Sequence, residues 1–375
     1  MQAFFFAGTE MRFRGRLARS RGVFSKTGKR TSRESPPLFR FEKRREWRLN
    51  RRRMEEILVI KPSSLGDIVH ALVVVESLRR QRGNVRVTWL SRDIFAPLLE
   101  TCPTVDRVIR YRREGGLREI ARVGSALRRE RFDLVLDMQG LARSAFWARC
   151  APAPRKIGRG DGREFSRLAF RELAPPPEKG FKRAHAVEIL LQFLRPLGLA
   201  PEIRGEVSFP RAKLSESVRR LLAPDGGDFP APILLFPDSR RPEKEWRGFR
   251  ELTSLLLAAS QGVPVVWVGS SRYAPDPAWD AVYTDFVSLM GKTTLADVAA
   301  LISRARFCVT NDSGPMHIAA AMGVPVFGIF GPTPPERYGP FPLSSPKNRV
   351  IRAPGGDLSK LSAQAVFERL REQAA

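Results

Sequence analysis

Residues 57–72 read ILVIKPSSLGDIVHAL. The run ILVIK (57–61) has the length and branched apolar content of a buried strand. The polar stretch behind it is a tight loop, and an apolar helical pattern over 67–81 follows. Strand, loop and helix together form the first half of a βαβ unit. Gly66 allows backbone to approach a ligand closely, and Ser63 and Ser64 offer hydroxyls and amides. Asp67 stands at the helix start, where a carboxylate is favoured by capping and by the helix dipole. On these residues alone, Asp67 reads either as a cap or as a general base.

The same rhythm continues outward from this stretch. Strands are expected at 85–90, 105–111 and 133–140, with helices at 93–100, 116–130 and 141–150. Residues 151–182 are rich in Pro, Gly and Arg and read as a long loop, and a helix over 184–197 closes the half. A second series opens at 232–239 and continues through strands at 263–270, 286–291, 306–314 and 324–333. Its helices are expected at 246–260, 294–304 and 315–322, and a last amphipathic helix at 358–375. The fold class is therefore α/β, with two Rossmann-like halves built on parallel sheets. Ligands in such sheets bind beyond the carboxyl ends of the strands.

With 43% hydrophobic residues, the 375-residue chain can bury two ordinary cores. Its formal charge is +26, and residues 1–53 hold 17 Lys and Arg against four Glu, half of that excess. Such a balance points to an anionic partner, nucleic acid or a membrane surface. Residues 1–53 show no periodicity and read as a disordered basic extension. Met54 is a candidate start site; alternatively the extension is an arm leaning on anionic lipid. Cys102, Cys150 and Cys308 lack paired spacing, which argues against zinc or a disulfide framework and fits a reducing compartment. No run of about 20 apolar residues predicts a membrane span. The start MQAFFFAG does not make a signal peptide.

Three further loops are polar where a strand meets a helix. In DMQGLARS (137–144), Gln139 and Arg143 follow a strand, and Arg143 is placed to hold phosphate or carboxylate or to stay solvated. In FPDSRRPEKEW (236–246), Ser239, Arg240, Arg241 and Lys244 form either a diphosphate clamp or a solvated loop. The richest is VTNDSGPMHIAAAMGVP (309–325). Ser313-Gly314-Pro315 opens a helix whose first amides are free donors, with Asp312 before it and His317 in its first turn. A phosphate-binding helix N-terminus is the physical reading. His70, His185 and His317 are scattered, and their spacing gives no metal cluster. GKTT (291–294) lacks the upstream glycine of a P-loop, since Phe286 holds that position.

Taken in order, KPSSLGDIVHAL, DMQGLARSA, HAVE, KEW, TNDSGPMHIAAAMGVPVFGIFGPT and RAPGGDLSKLSAQAV resemble glycosyltransferase family 9, the lipopolysaccharide core heptosyltransferases. The likeness covers about residues 55–372. DMQGLARSA and RAPGGDLS lean toward the heptosyltransferase I branch, NDSGPMH toward heptosyltransferase II. Val73 and Pro62 depart from the usual proline and threonine.

The resemblance implies a GT-B fold, with an acceptor domain over 54–205 and a nucleotide-sugar domain over 206–355. It also implies that a C-terminal helix within 356–375 packs back on the first domain. The implied reaction is inverting, metal-independent transfer of heptose from ADP-L-glycero-D-manno-heptose to the Kdo region of an acidic glycolipid. It uses no cofactor, since ADP-heptose is a substrate. Asp67 takes the place of the general base. Lys244, Asp312, Ser313, Gly314 and His317 match the donor site, with Ser239, Arg240 and Thr293 as further donor positions. Ser63, Ser64, Gly66, Gln139 and Arg143 fall to the acceptor. The implied location is the cytoplasmic face of the inner membrane, as a peripheral protein. Arg79, Arg80, Arg82, Arg110, Arg112, Arg113, Arg118 and Arg122 would meet its anionic surface. The rivals are a nucleotide-sugar epimerase on the same fold and, on charge alone, a nucleic-acid-binding protein.

Overall fold

The run Glu55–Ile60 forms β1, and its last four residues are shielded from solvent, as expected of a strand covered on both faces. These features come from a computed structural model that describes residues 54–259, 262–270, 273–276, 279 and 284–374. The extension expected over 1–53 lies outside the described residues.

The first half runs β1, α1 (Leu65–Arg82), β2 (Val85–Arg92), α2 (Ala96–Glu100), β3 (Arg107–Tyr111), α3 (Gly116–Arg128), β4 (Leu134–Asp137) and α4 (Ala142–Cys150). The segment read as a long loop holds two more strands, β5 (Arg155–Gly158) and β6 (Glu172–Leu173). They complete a parallel six-stranded sheet in the order β3-β2-β1-β4-β5-β6. Arg155 and Glu172 pair across these two strands, so their charge is used within the sheet edge. After α5 (Gly180–Arg183), the expected helix over 184–197 divides into α6 (Ala186–Leu191) and a 3-10 segment, Gln192–Leu197, that contains Pro196.

The second half follows α7 (Glu216–Leu222) with β7 (Ile233–Phe236), α8 (Phe249–Ala259), β8 (Val265–Gly269), β9 (Phe286–Met290), α9 (Leu295–Ile302), β10 (Phe307–Asn311), α10 (Gly314–Ala321), β11 (Val326–Phe330), α11 (Pro335–Tyr338) and β12 (Asn348–Arg352). Its parallel sheet has the order β12-β11-β10-β7-β8-β9. The last helix, α12 (Ala363–Ala374), corrects an expectation. Its Val366, Phe367 and Leu370 join Trp246, Phe249 and Leu252 in the core of the second half, so it packs on α8 and not back on the first half. The Trp246 indole N–H donates to the Leu361 carbonyl at 2.8 Å and fixes the chain where it enters α12.

Register places the site loops. Ile60 pairs with Asp137, so the loops after β1 and β4 lie side by side. Thr310 pairs with Phe236, which sets the Asp312 loop beside the Ser239–Lys244 loop.

Removing the Trp246 side chain should cost about 3–5 kcal/mol, since it leaves a large buried cavity. Urea unfolding of Trp246→Ala measures that loss. Limited proteolysis of the same variant should cut first in the segment leading into α12, which loses its indole tether.

Candidate active site

Asp67 occupies the third position of α1, and its Oδ2 accepts hydrogen bonds from the Ser64 amide at 3.0 Å and the Ser64 hydroxyl at 2.8 Å. Oδ1 has no hydrogen-bond partner among the described residues. One oxygen therefore caps the helix while the other is left over. Burial pushes the Asp67 carboxyl up, but the Lys61 ammonium and the Ser64 donors outweigh it and hold the group well below the usual carboxylate range. Lys61, the last residue of the expected strand, is itself 2% exposed and donates to Gln139 Oε1 at 3.2 Å. Burial lowers its pKa while Asp67 opposes that shift. Behind Gln139, Asp137 accepts from the Gln139 and Gly140 amides and from the Ser144 hydroxyl, which shapes the loop. Burial nevertheless raises its carboxyl to about 6.

The opposite wall belongs to the second half. Lys244 Nζ lies 2.5 Å from Asp312 Oδ2, and the Thr333 hydroxyl donates to the same oxygen at 2.7 Å. The ammonium is thus held beside the N-terminus of α10, where Ser313 is the N-cap and Pro315 lies in the first turn. The buried Ser313 hydroxyl has no partner among the described residues. First-turn amides, a hydroxyl and an ammonium converge here as donors for an anion. Arg240 and Arg241 are exposed at the same mouth.

A cleft of about 1010 Å3 joins the two walls. It brings Ser64, Gly66 and Asp67 together with Ser239, Arg240, Lys244, Thr293, Asp312, Ser313, Gly314 and His317. Ser63, Gln139 and Arg143 are not among its lining residues. Arg143 bonds the Tyr111 hydroxyl and stacks on that ring, and Gln139 is engaged with Lys61. Lining residues that sequence reasoning passed over include Asp238, Gly269 and Ser270, whose amide donates to Asp238 Oδ2 at 2.7 Å. Their places at the carboxyl ends of β7 (Asp238) and β8 (Gly269 and Ser270) were the available signal.

The three histidines, read as scattered, meet at the seam between the halves. His70 Nε2 lies 3.0 Å from His317 Nδ1, and the His70 and His185 rings meet edge to face at 5.5 Å. His185 accepts from the Val187 amide through Nδ1, so Nε2 carries the proton given to the Gly339 carbonyl at 3.1 Å. Two glycines allow this approach. A Cβ on Gly66 would stand 2.6 Å from His317 Cδ2, and one on Gly314 would stand 2.5 Å from Leu65 Cδ2. Among the described residues, no group of three His, Cys, Asp or Glu has the arrangement of a metal site.

Residues 120–370, two thirds of the chain, match glycosyltransferase family 9 (heptosyltransferase). The chain belongs to that family. It is 31% identical over 304 residues to lipopolysaccharide heptosyltransferase 1 of Pseudomonas aeruginosa, covering 76% of this chain and 81% of the relative. Against the Escherichia coli K12 proteins it is 27% identical to heptosyltransferase 1 over 329 residues (84% of this chain, 98% of the relative) and 28% identical to heptosyltransferase 2 over 324 (79% and 88%). Among solved structures, E. coli heptosyltransferase WaaC with ADP superposes with a TM-score of 0.68 at 24% identity, over 85% of this chain and 99% of that one. A family 9 glycosyl transferase from Veillonella parvula gives 0.70 at 21% identity, over 85% and 97%. The family 9 chain thus has the GT-B fold expected from its sequence, and it is a glycosyltransferase.

The seam should respond to acid. Burial holds His185 and His317 down at about 4 and His70 well below its ordinary 6.5; the facing Asp67, Asp312 and Glu188 oppose this shift, while Lys61, Lys244 and Arg337 add to it. Lowered pKa values mean that the unfolded chain binds these protons first. Their stability contribution is complete above pH 6.5 and drains away as pH falls from there to about 4. Urea midpoints measured across that window should fall more steeply for the native chain than for a His70→Gln/His317→Gln double variant. Separately, Gly66→Ala should cost about 1–3 kcal/mol by forcing His317 aside, measured in the same assay at neutral pH.

Proposed function

We propose that this family 9 enzyme transfers heptose from ADP-L-glycero-D-manno-heptose to the Kdo region of the lipopolysaccharide inner core. The observation that carries the reading is one cleft lined by both Asp67 and the Lys244–Asp312 pair at the α10 N-terminus. In the proposed step an acceptor hydroxyl gives its proton to Asp67 Oδ1 as its oxygen attacks the anomeric carbon. The bond from that carbon to the diphosphate breaks on the opposite face, so configuration inverts. Positive charge gathers on the sugar ring and negative charge on the leaving diphosphate. The reading assigns the negative charge to Lys244, Arg240, the Ser313 hydroxyl and the first amides of α10, and to no metal or other cofactor. Thr293, Asp238 and Ser270 are left for the nucleoside end.

Asp67 suits the base role because its carboxylate lines the cleft and keeps Oδ1 clear of the Ser64 donors. Ser63, Ser64, Gln139 and Arg143 would border the acceptor, with Gln139 and Arg143 acting from beside the cleft. A second acceptor, the product of a first heptosyl transfer, is favoured by the near-equal likeness to the two E. coli heptosyltransferases. The reading places the enzyme on the cytoplasmic face of the inner membrane. Among the described residues, no helix is long and apolar enough to cross it.

With purified ADP-heptose and a Kdo-lipid A acceptor, Asp67→Asn should lose about 10²-fold or more in turnover while binding donor normally. Lys244→Ala should weaken both donor binding and turnover, by about 10²–10³-fold in rate. Near-native turnover of Asp67→Asn would remove the base assignment, and transfer of a different sugar in a donor panel would remove the heptose assignment.

A further inference from the structure

The most exposed large apolar side chains among the described residues are Phe165 (87%), Leu168 (84%), Leu117 (83%) and Ile94 (51%). All four stand in segments that follow the carboxyl ends of strands in the first sheet: Ile94 after β2, Leu117 after β3, and Phe165 and Leu168 after β5. In a parallel sheet these ends form one rim, the rim that also carries Asp67 after β1. In strand order β3-β2-β1-β4-β5, they spread over about 19 Å.

The β5 segment is braced against the loop after β4. The Arg163 amide donates to the Gly140 carbonyl at 2.9 Å, and Glu164 Oε2 accepts from the Ala142 amide at 3.0 Å. Phe165 and Leu168 therefore project from a fixed platform beside the acceptor loop, although burying them inside the chain would ordinarily be favourable.

The charge around these residues is positive and unspent. Arg163, Arg167 and Arg171 are exposed and form no ion pair among the described residues, and the same holds for Arg113 and Arg118 beside Leu117. The arginines expected to face a membrane are mostly neutralised. Arg79 pairs with Asp106, Arg80 with Glu76, Arg82 with Glu55, Arg110 with Glu100 and Arg122 with Glu119.

We propose that this rim docks on an anionic bilayer, with Phe165 and Leu168 entering the headgroup–acyl boundary and Arg163, Arg167 and Arg171 meeting lipid phosphates. This deepens the reading of a lipid-linked acceptor and rests on it, since the same rim would bring the cleft to the lipid's sugar head.

The test uses the full chain and vesicles without acceptor. All three native cysteines are buried, so a Leu168→Cys variant takes an environment-sensitive dye at one site. On phosphatidylethanolamine–phosphatidylglycerol vesicles the dye should shift to the blue and be quenched by brominated acyl chains, with little response on phosphatidylcholine. A Phe165→Asn/Leu168→Gln variant, in which Asn tolerates the positive φ of 55–58° found at Glu164 and Phe165, should partition at least about tenfold more weakly. It should lose transfer to a vesicle-embedded acceptor and keep transfer to a water-soluble, deacylated one. Three outcomes would overturn the proposal: no partitioning onto anionic vesicles, partitioning with an unchanged dye spectrum, or native partitioning by the double variant. If heptose transfer itself fails, the vesicle measurements still decide the docking surface.

Discussion

The active cleft depends on two helix N-termini brought almost into contact. α1 carries the Asp67 carboxylate and α10 the unpaired first-turn amides, and each has a glycine where the other presses in. Gly66 makes room for the His317 ring and Gly314 for Leu65. The His70–His317 hydrogen bond ties the two helices one turn further along. Gly314 and His317 stand three residues apart on α10, so the same face of it meets α1. Asp67 and the first turn of α10 are thereby fixed relative to each other by backbone packing, without relying on long flexible side chains.

Charge is managed in matched pairs around this contact. Lys61 is buried against the Asp67 loop, and Lys244 is held by Asp312 on the far wall. Lys244 pairs with Asp312, whose position a second donor, Thr333, also sets; Lys61 donates to Gln139 and acts on Asp67 through its charge alone, while Ser64 positions that carboxylate. A buried ion pair contributes little net stability, since desolvation offsets the attraction. Its value here is placement, because a group that is already oriented needs no reorganisation as charge develops.

Much of this was legible in the sequence. The strand–loop–helix grammar of 57–72 and 309–325 identified both walls of the cleft, because local turn chemistry and strand patterning encode where a parallel sheet ends. β5 and β6 escaped notice because they are short and charged, with β6 at the sheet edge and β5 next to it, where a long apolar run is not required. The histidine cluster was invisible for a different reason: His70 and His317 are 247 residues apart, and only the packing of the two halves makes them neighbours. The amphipathic pattern of the last helix told that one face is buried, but not which half buries it. Gln139 and Arg143 were found as polar loop residues, yet their partners, Lys61 and Tyr111, come from other strands and could not be read locally.

The apolar interior does not stop where one sheet ends. Ile68, Leu72 and Leu78 of the first half belong to the same buried cluster as Met316, Ile318 and Leu234 of the second. Two Rossmann-like halves could in principle be independent folding units. Here each would present a greasy, unsatisfied face to water if the other were missing. The chain is therefore bilobed in architecture with one apolar cluster shared by both lobes, so parting them would expose that cluster to water.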